Sequence, residues 1–235
     1  MNLCKRGRLF WVKGWGLPRR KIDELGQQRV LELAHATKAR LRPDKYTPIS
    51  PYRYIKIKPS RVSYVQTLPV NHPLAEHRGR FYKYSPGRII SGEWDQKITP
   101  IEKVPLFTGL REHFVEGKDW EETILHPERY EIDHPNLSER YHEYTLDEFH
   151  ERCEYLDELY YSLQESGYVV PDKRSALDEL AVNVGRNGQF IRNSEGIHRL
   201  VLAKLLDLDH IFARIHVVHP EVVTESQSNL QTKPG

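Results

Sequence analysis

The chain has little cysteine: Cys4 and Cys153 are the two thiols among 235 residues. Two thiols cannot make a disulfide scaffold or a four-cysteine zinc site, so a packed core must hold the fold, and a reducing, cytoplasmic setting is expected. Long apolar runs are missing. No stretch approaches the roughly 18 apolar residues that a membrane span needs, and the basic N-terminus lacks a signal peptide's apolar segment, so no membrane partner is expected. Although histidines number 12, none falls in a His-Glu-x-x-His or Cys/His finger pattern, and no metal-ligand set is read from the sequence. Walker A loops, the Rossmann glycine fingerprint and the Gly-x-Ser-x-Gly elbow are absent too. Residues 1–21 contain no acid at all.

What is present is foldable. Thirteen Tyr, seven Phe and four Trp supply large apolar faces to a chain that is 29% charged. The length suffices for one core without staples. The formal net charge of +2 hides a block structure: residues 1–111 carry a large cationic excess and residues 112–165 a nearly matching anionic one. Such blocks suit either an anionic partner or mutual neutralisation within and between chains. Residues 1–21 hold Lys5, Arg6, Arg8, Lys13, Arg19, Arg20 and Lys21 interleaved with Phe10, Trp11 and Trp15, the pairing of cations and rings that meets phosphates and bases.

Ile22, Leu25, Val30, Leu33, Thr37 and Leu41 predict an amphipathic helix that ends before Pro43. Residues 52–58 alternate as a half-buried strand stopped at Pro59, and a short extended segment is expected at Arg88–Ser91. Helical spacing over Val104–Glu116, a turn at Trp120–Leu125, and a capping box at Thr145–Glu148 opening a helix that stops at Gly167 define a helical, acidic insertion over residues 100–167. A hairpin follows: strand Leu180–Val184, turn Arg186-Asn187-Gly188, return strand Phe190–Arg192. A glycine turn, a helix through Leu206 and a strand over Ile211–Val218 complete the pattern. The expected class is α+β, with one unit over residues 22–219, a basic arm at 1–21 and a disordered tail at 220–235.

The chemistry concentrates at Glu195-Gly196-Ile197-His198-Arg199. A glycine turn that opens a helix leaves backbone N–H groups unpaired at the positive end of the helix dipole, a natural phosphate seat. His198 and Arg199 would add side-chain donors. A second candidate is Gly92-Glu93-Trp94-Asp95, whose carboxylates would share one face of an extended segment. If they approached Gly196, Glu93 and Asp95 could hold Mg²⁺ against nucleotide phosphates, or Asp95 could serve as a base.

Gly196, His198, Arg199 and Ala203, with the following strand Ile211–Val218 and the earlier Ile55–Val62 segment, resemble the ParB/sulfiredoxin-like superfamily. The resemblance implies a small mixed sheet with flanking helices and a nucleotide or phosphate held at the Gly196–Arg199 turn. Ile197 stands where a sulfiredoxin carries its cysteine, which argues against that reaction. Pro59-Ser60-Arg61 lacks the acid that a kinase of this type would use, and no helix-turn-helix pattern follows Pro220. The functional expectation is therefore a phosphate- or nucleotide-binding protein taking a nucleoside di- or triphosphate with Mg²⁺. Gly196, Ile197, His198 and Arg199 would bind the anion, and Glu93, Asp95 and Glu195 are candidates for phosphoryl transfer or nucleotide hydrolysis. The alternative is a non-catalytic DNA-associated module using the basic N-terminal half. A third expectation is a homo-oligomer whose charge blocks pair between chains.

Overall fold

Gly188 takes a left-handed backbone (φ 73°), as an Asn-Gly turn requires, and the chain folds back on itself there. The strands on either side, β7 (Ala181–Val184) and β8 (Phe190–Ser194), pair antiparallel and form the centre of a seven-stranded mixed sheet. The computed structural model describes residues 24–67, 75–76, 80–81, 86–130, 141–169 and 179–222. The basic arm and Cys4 lie outside the described residues, as does the tail beyond residue 222.

The remaining elements are α1 (Glu24–Leu41), β1 (Ile55–Ile57), β2 (Val62–Gln66), β3 (Ala75–Glu76), β4 (Arg80–Phe81), β5 (Arg88–Ile89), β6 (Ile98–Pro100), α2 (Pro105–Phe114), α3 (Leu146–Ser166), α4 (Ile197–Leu205) and β9 (Ile211–Val218). The sheet runs β1-β9-β7-β8-β2-β6, with β5 pairing β9, while β3 and β4 form a separate two-stranded ribbon. β2 lies parallel to β8 and β7 parallel to β9, whereas β1 and β6 pair antiparallel at the two ends. The α+β class is observed. Four strands escaped the sequence reading: β3 and β4 of the ribbon, and β2 and β6 of the main sheet. Val62, expected in a turn, begins β2 after a short 3-10 turn at Pro59–Arg61, and β6 is too short to show a period.

α2, α3 and α4 share one apolar core with Val62, Val65, Val182, Ile211 and Ile215 from the strands. α3 supplies Phe149, Cys153, Leu156 and Leu163 at three- and four-residue steps. Its start is the expected capping box: Glu148 N–H donates to Thr145 Oγ1, and Thr145 N–H donates to Glu148 Oε2 at 2.9 Å. Gly167 ends it at φ 66°. Asp157 ties α3 to the preceding turn by accepting from Trp120 Nε1 and pairing with His113 Nε2, both at 3.2 Å. Trp94, Ile191 and Val217 form a second, smaller cluster.

Burial, reinforced by the nearby charges of Asp157 and Glu121, pushes the Cys153 thiol up to about 12. At pH 8 its thiolate fraction is then roughly a thousandfold below that of an ordinary thiol. In a Cys4→Ser variant, Cys153 should alkylate about a thousandfold more slowly in the native protein than in urea. Equal rates measured by mass spectrometry would mean that this core is open.

α1 forms where the spacing places it, but its faces are reversed. Gln28, Glu32 and His35 turn toward the body: Gln28 Nε2 donates to the Tyr52 carbonyl, Arg53 Nε donates to Glu32, and His35 Nε2 meets the Thr47 carbonyl. His35 also fills the space beside Gly87, where a Cβ would lie 2.2 Å from its ring. The apolar stripe points to solvent, leaving Val30 65% exposed, Leu33 71% and Leu41 72%.

Candidate functional site

The α4 N-terminus is built by two consecutive left-handed residues, Glu195 (φ 48°) and Gly196 (φ 63°). A Cβ at Gly196 would lie 3.0 Å from the Leu180 backbone, so both conformation and space demand glycine there. For Glu195 the left-handed conformation is strained, a feature that clusters at binding and catalytic sites. Gly196, the N-cap residue, offers no side chain to cap α4. Beneath the turn lies Arg192, 2% exposed, whose Nε donates to the Glu195 carbonyl at 3.4 Å. The Arg192 guanidinium and the positive end of the helix dipole thus meet at this turn.

The four residues expected to bind an anion do different things. Ile197 is buried in the core, so only its backbone faces the turn. His198 is half-buried, and its Nε2 lies 3.4 Å from the hydroxyl of the buried Tyr141. Tyr141 in turn contacts the rings of Tyr130 and Tyr144, so the helical insertion walls one side of the turn.

Arg199 points inward. Its Nη1 bridges both oxygens of the fully buried Glu179 at 2.5 and 2.6 Å, and Tyr168 donates its hydroxyl to Glu179 Oε2 at 2.8 Å. This bridge anchors the first turn of α4 to the segment entering β7. Burial opposes the guanidinium's charge, but Tyr168 and Glu179 outweigh it and hold the Arg199 pKa above its ordinary range.

The structure does not gather the candidate acids at this turn. Residues 94–96 form a 3-10 turn rather than an extended segment, so Glu93 and Asp95 do not share a strand face. Asp95 has no exposed side-chain surface, and Glu93 is largely exposed. Both converge on Arg186 in the β7–β8 turn, which donates from its backbone N, Nε and Nη2 to Asp95 at 2.8–3.2 Å and reaches Glu93 at 3.3 Å. Burial raises the Asp95 pKa, but the hydrogen bonds from Arg186 prevail and hold the carboxyl below its usual range. With its oxygens engaged by Arg186, Asp95 anchors the hairpin turn. β8, five residues and about 16 Å long, separates that turn from Gly196. Glu195 alone of the three stands beside the α4 N-terminus.

Among the described residues, no group of His, Cys, Asp and Glu comes together in a way that could hold a metal ion. None of the described helices is long and apolar enough to cross a membrane. A cleft of about 350 Å³ opens at the other end of α4, between Lys58, Ser60, Phe107, Lys204 and Asp207.

The sequence reading missed Glu179, Arg192 and Tyr141. Glu179 and Tyr141 lie at 20 and 57 residues' separation from the α4 residues they meet, and no local pattern announces such partners. Arg192 sits in a strand whose alternation would place a polar residue on either face. Comparison with protein-family models, with curated proteins and with solved structures finds no match.

Proposed function

We propose that this chain is a phosphate- or nucleotide-binding domain of the ParB/sulfiredoxin-like type, with the anion seated at the Gly196–Arg199 turn. The observation that carries this reading is the pair of left-handed residues, Glu195 and Gly196, opening α4 above the buried Arg192. That arrangement turns backbone N–H groups of the first α4 turn toward an incoming anion, with the Arg192 guanidinium beneath the Glu195 carbonyl. His198 supplies the side-chain donor. Arg199 acts through Glu179 to hold the turn, so it positions the site and does not grip the ligand. The reading stops at binding, because Glu93 and Asp95 are held by Arg186 at the far end of β8.

The test is thermal-shift titration with inorganic triphosphate, ATP, ADP, CTP and GTP, with and without Mg²⁺. A ligand at 100 times its dissociation constant adds about 2.7 kcal/mol to folded-state stability, a clear melting shift. The wild type should shift, and His198→Ala should need at least about tenfold more ligand for the same shift. His198→Ala is preferred to Arg199→Ala because it leaves the buried Arg199–Glu179 pair in place. No shift at millimolar ligand, or equal shifts in both proteins, overturns the reading. A response to duplex DNA alone, steeply weakened by salt, would support the DNA-associated alternative.

A further inference from the structure

An amphipathic helix normally buries its apolar stripe, because removing that area from water is what stabilises it against the body. α1 does the reverse: hydrogen bonds hold its polar side, while Val30, Leu33 and Leu41, with Thr37 between the last two, stand in solvent at three- and four-residue steps. The spacing is that of a seam for another helix. Exposed Arg29, Lys38 and Arg40 flank the stripe, and Glu32 is turned away and held by Arg53. Two α1 helices facing each other would bring these cations together. The flanks call for an acidic partner.

The chain carries such a partner. The outward side of α3 bears Glu151, Glu154, Glu158 and Glu165, all exposed and none in an ion pair among the described residues. Tyr155 and Tyr161, 40% and 61% exposed, border this acidic row and offer ring faces to Leu and Val. One cation stands beside it, Arg152, stacked on Tyr155 at 5.1 Å. The two helices also match in length, about 27 Å for α1 and about 31 Å for α3.

We propose that α1 of one copy of this chain docks on the acidic outer face of α3 of a second copy. The stripe of α1 covers the tyrosine rings, and Arg29, Lys38 and Arg40 meet the glutamates. The contact joins two different surfaces, so it assembles the chain through a heterologous interface. A single helix pair lies at the small end of specific interfaces, and its charges are screened by salt. The association is therefore weak and ionic-strength dependent.

Analytical ultracentrifugation of the full chain tests this. At low salt, the mass should rise above the 27.7 kDa monomer between about 10 μM and 1 mM, and 0.5 M NaCl should return it to the monomer. Leu33→Asp, which sits at an exposed site, should abolish the rise. Two charge-reversed proteins are decisive. Arg29→Glu/Arg40→Glu and Glu154→Arg/Glu158→Arg should each be monomeric alone, whereas an equimolar mixture should associate again, because each then offers the face that the other lost. Circular dichroism melts verify that the variants are folded. The proposal is overturned if the wild type remains monomeric throughout, or if the α3 variant alone associates like wild type, which would assign the stripe to α1 pairing or to another segment.

Discussion

Replacing Arg199 with Ala is expected to lower stability by about 3–5 kcal/mol, since it leaves the Glu179 carboxylate buried without its cation. That is a large part of the roughly 5–15 kcal/mol available to a folded domain. Glu179→Gln should cost nearly as much, by taking the balancing negative charge away from the guanidinium. The double variant Glu179→Gln/Arg199→Met should recover much of the loss, because Gln still accepts from Tyr168 and Met fills the guanidinium's space without a charge. Urea denaturation at pH 7 measures all three. Additive losses in the double variant would mean that the two side chains act independently. The experiment also bears on function, because loss of ligand by Arg199→Ala would report a collapsed turn as readily as a missing contact.

The second large effect depends on pH. The Asp95 carboxyl is held below its ordinary value in the folded chain, with Arg186's hydrogen bonds outweighing the upward push of burial. A depressed folded value means that the stabilisation is present in full above the unfolded value near 4 and is lost as pH falls through the folded value. The wild type should therefore lose stability steeply on the acid side. Asp95→Asn should cost about 3 kcal/mol at pH 7, because three donors from Arg186 lose a charged acceptor, and its acid limb should be shallower. Melting temperatures between pH 3 and 7 provide the check. Identical acid limbs in the two proteins would show that other carboxylates govern acid unfolding. The anion binding proposed for the α4 turn should survive the substitution, since β8 separates the two places.

Much of the architecture was legible because it is local. The Thr145–Glu148 capping box, the stops at Gly167 and before Pro43, and the Asn-Gly turn each act within a few residues, and each appears in the structure. So does the glycine turn before α4, whose demand for a left-handed backbone is written in Gly196 itself. β2 and β6 were not legible, since short strands are stabilised by neighbours brought from far along the chain.

The site divides in the same way. The sequence alone determined that a glycine-opened helix would follow the hairpin, because backbone geometry and the period of apolar residues are properties of contiguous segments. Only the tertiary structure decided what surrounds it. Arg199 goes to Glu179, His198 to Tyr141, and Asp95 to Arg186, because a charge taken out of water must find its partner wherever the fold delivers one. The tertiary structure likewise decided which face of α1 is outward. Periodicity shows that a helix has an apolar side, but hydrogen bonds from Gln28, Arg53 and His35 turned that side to solvent.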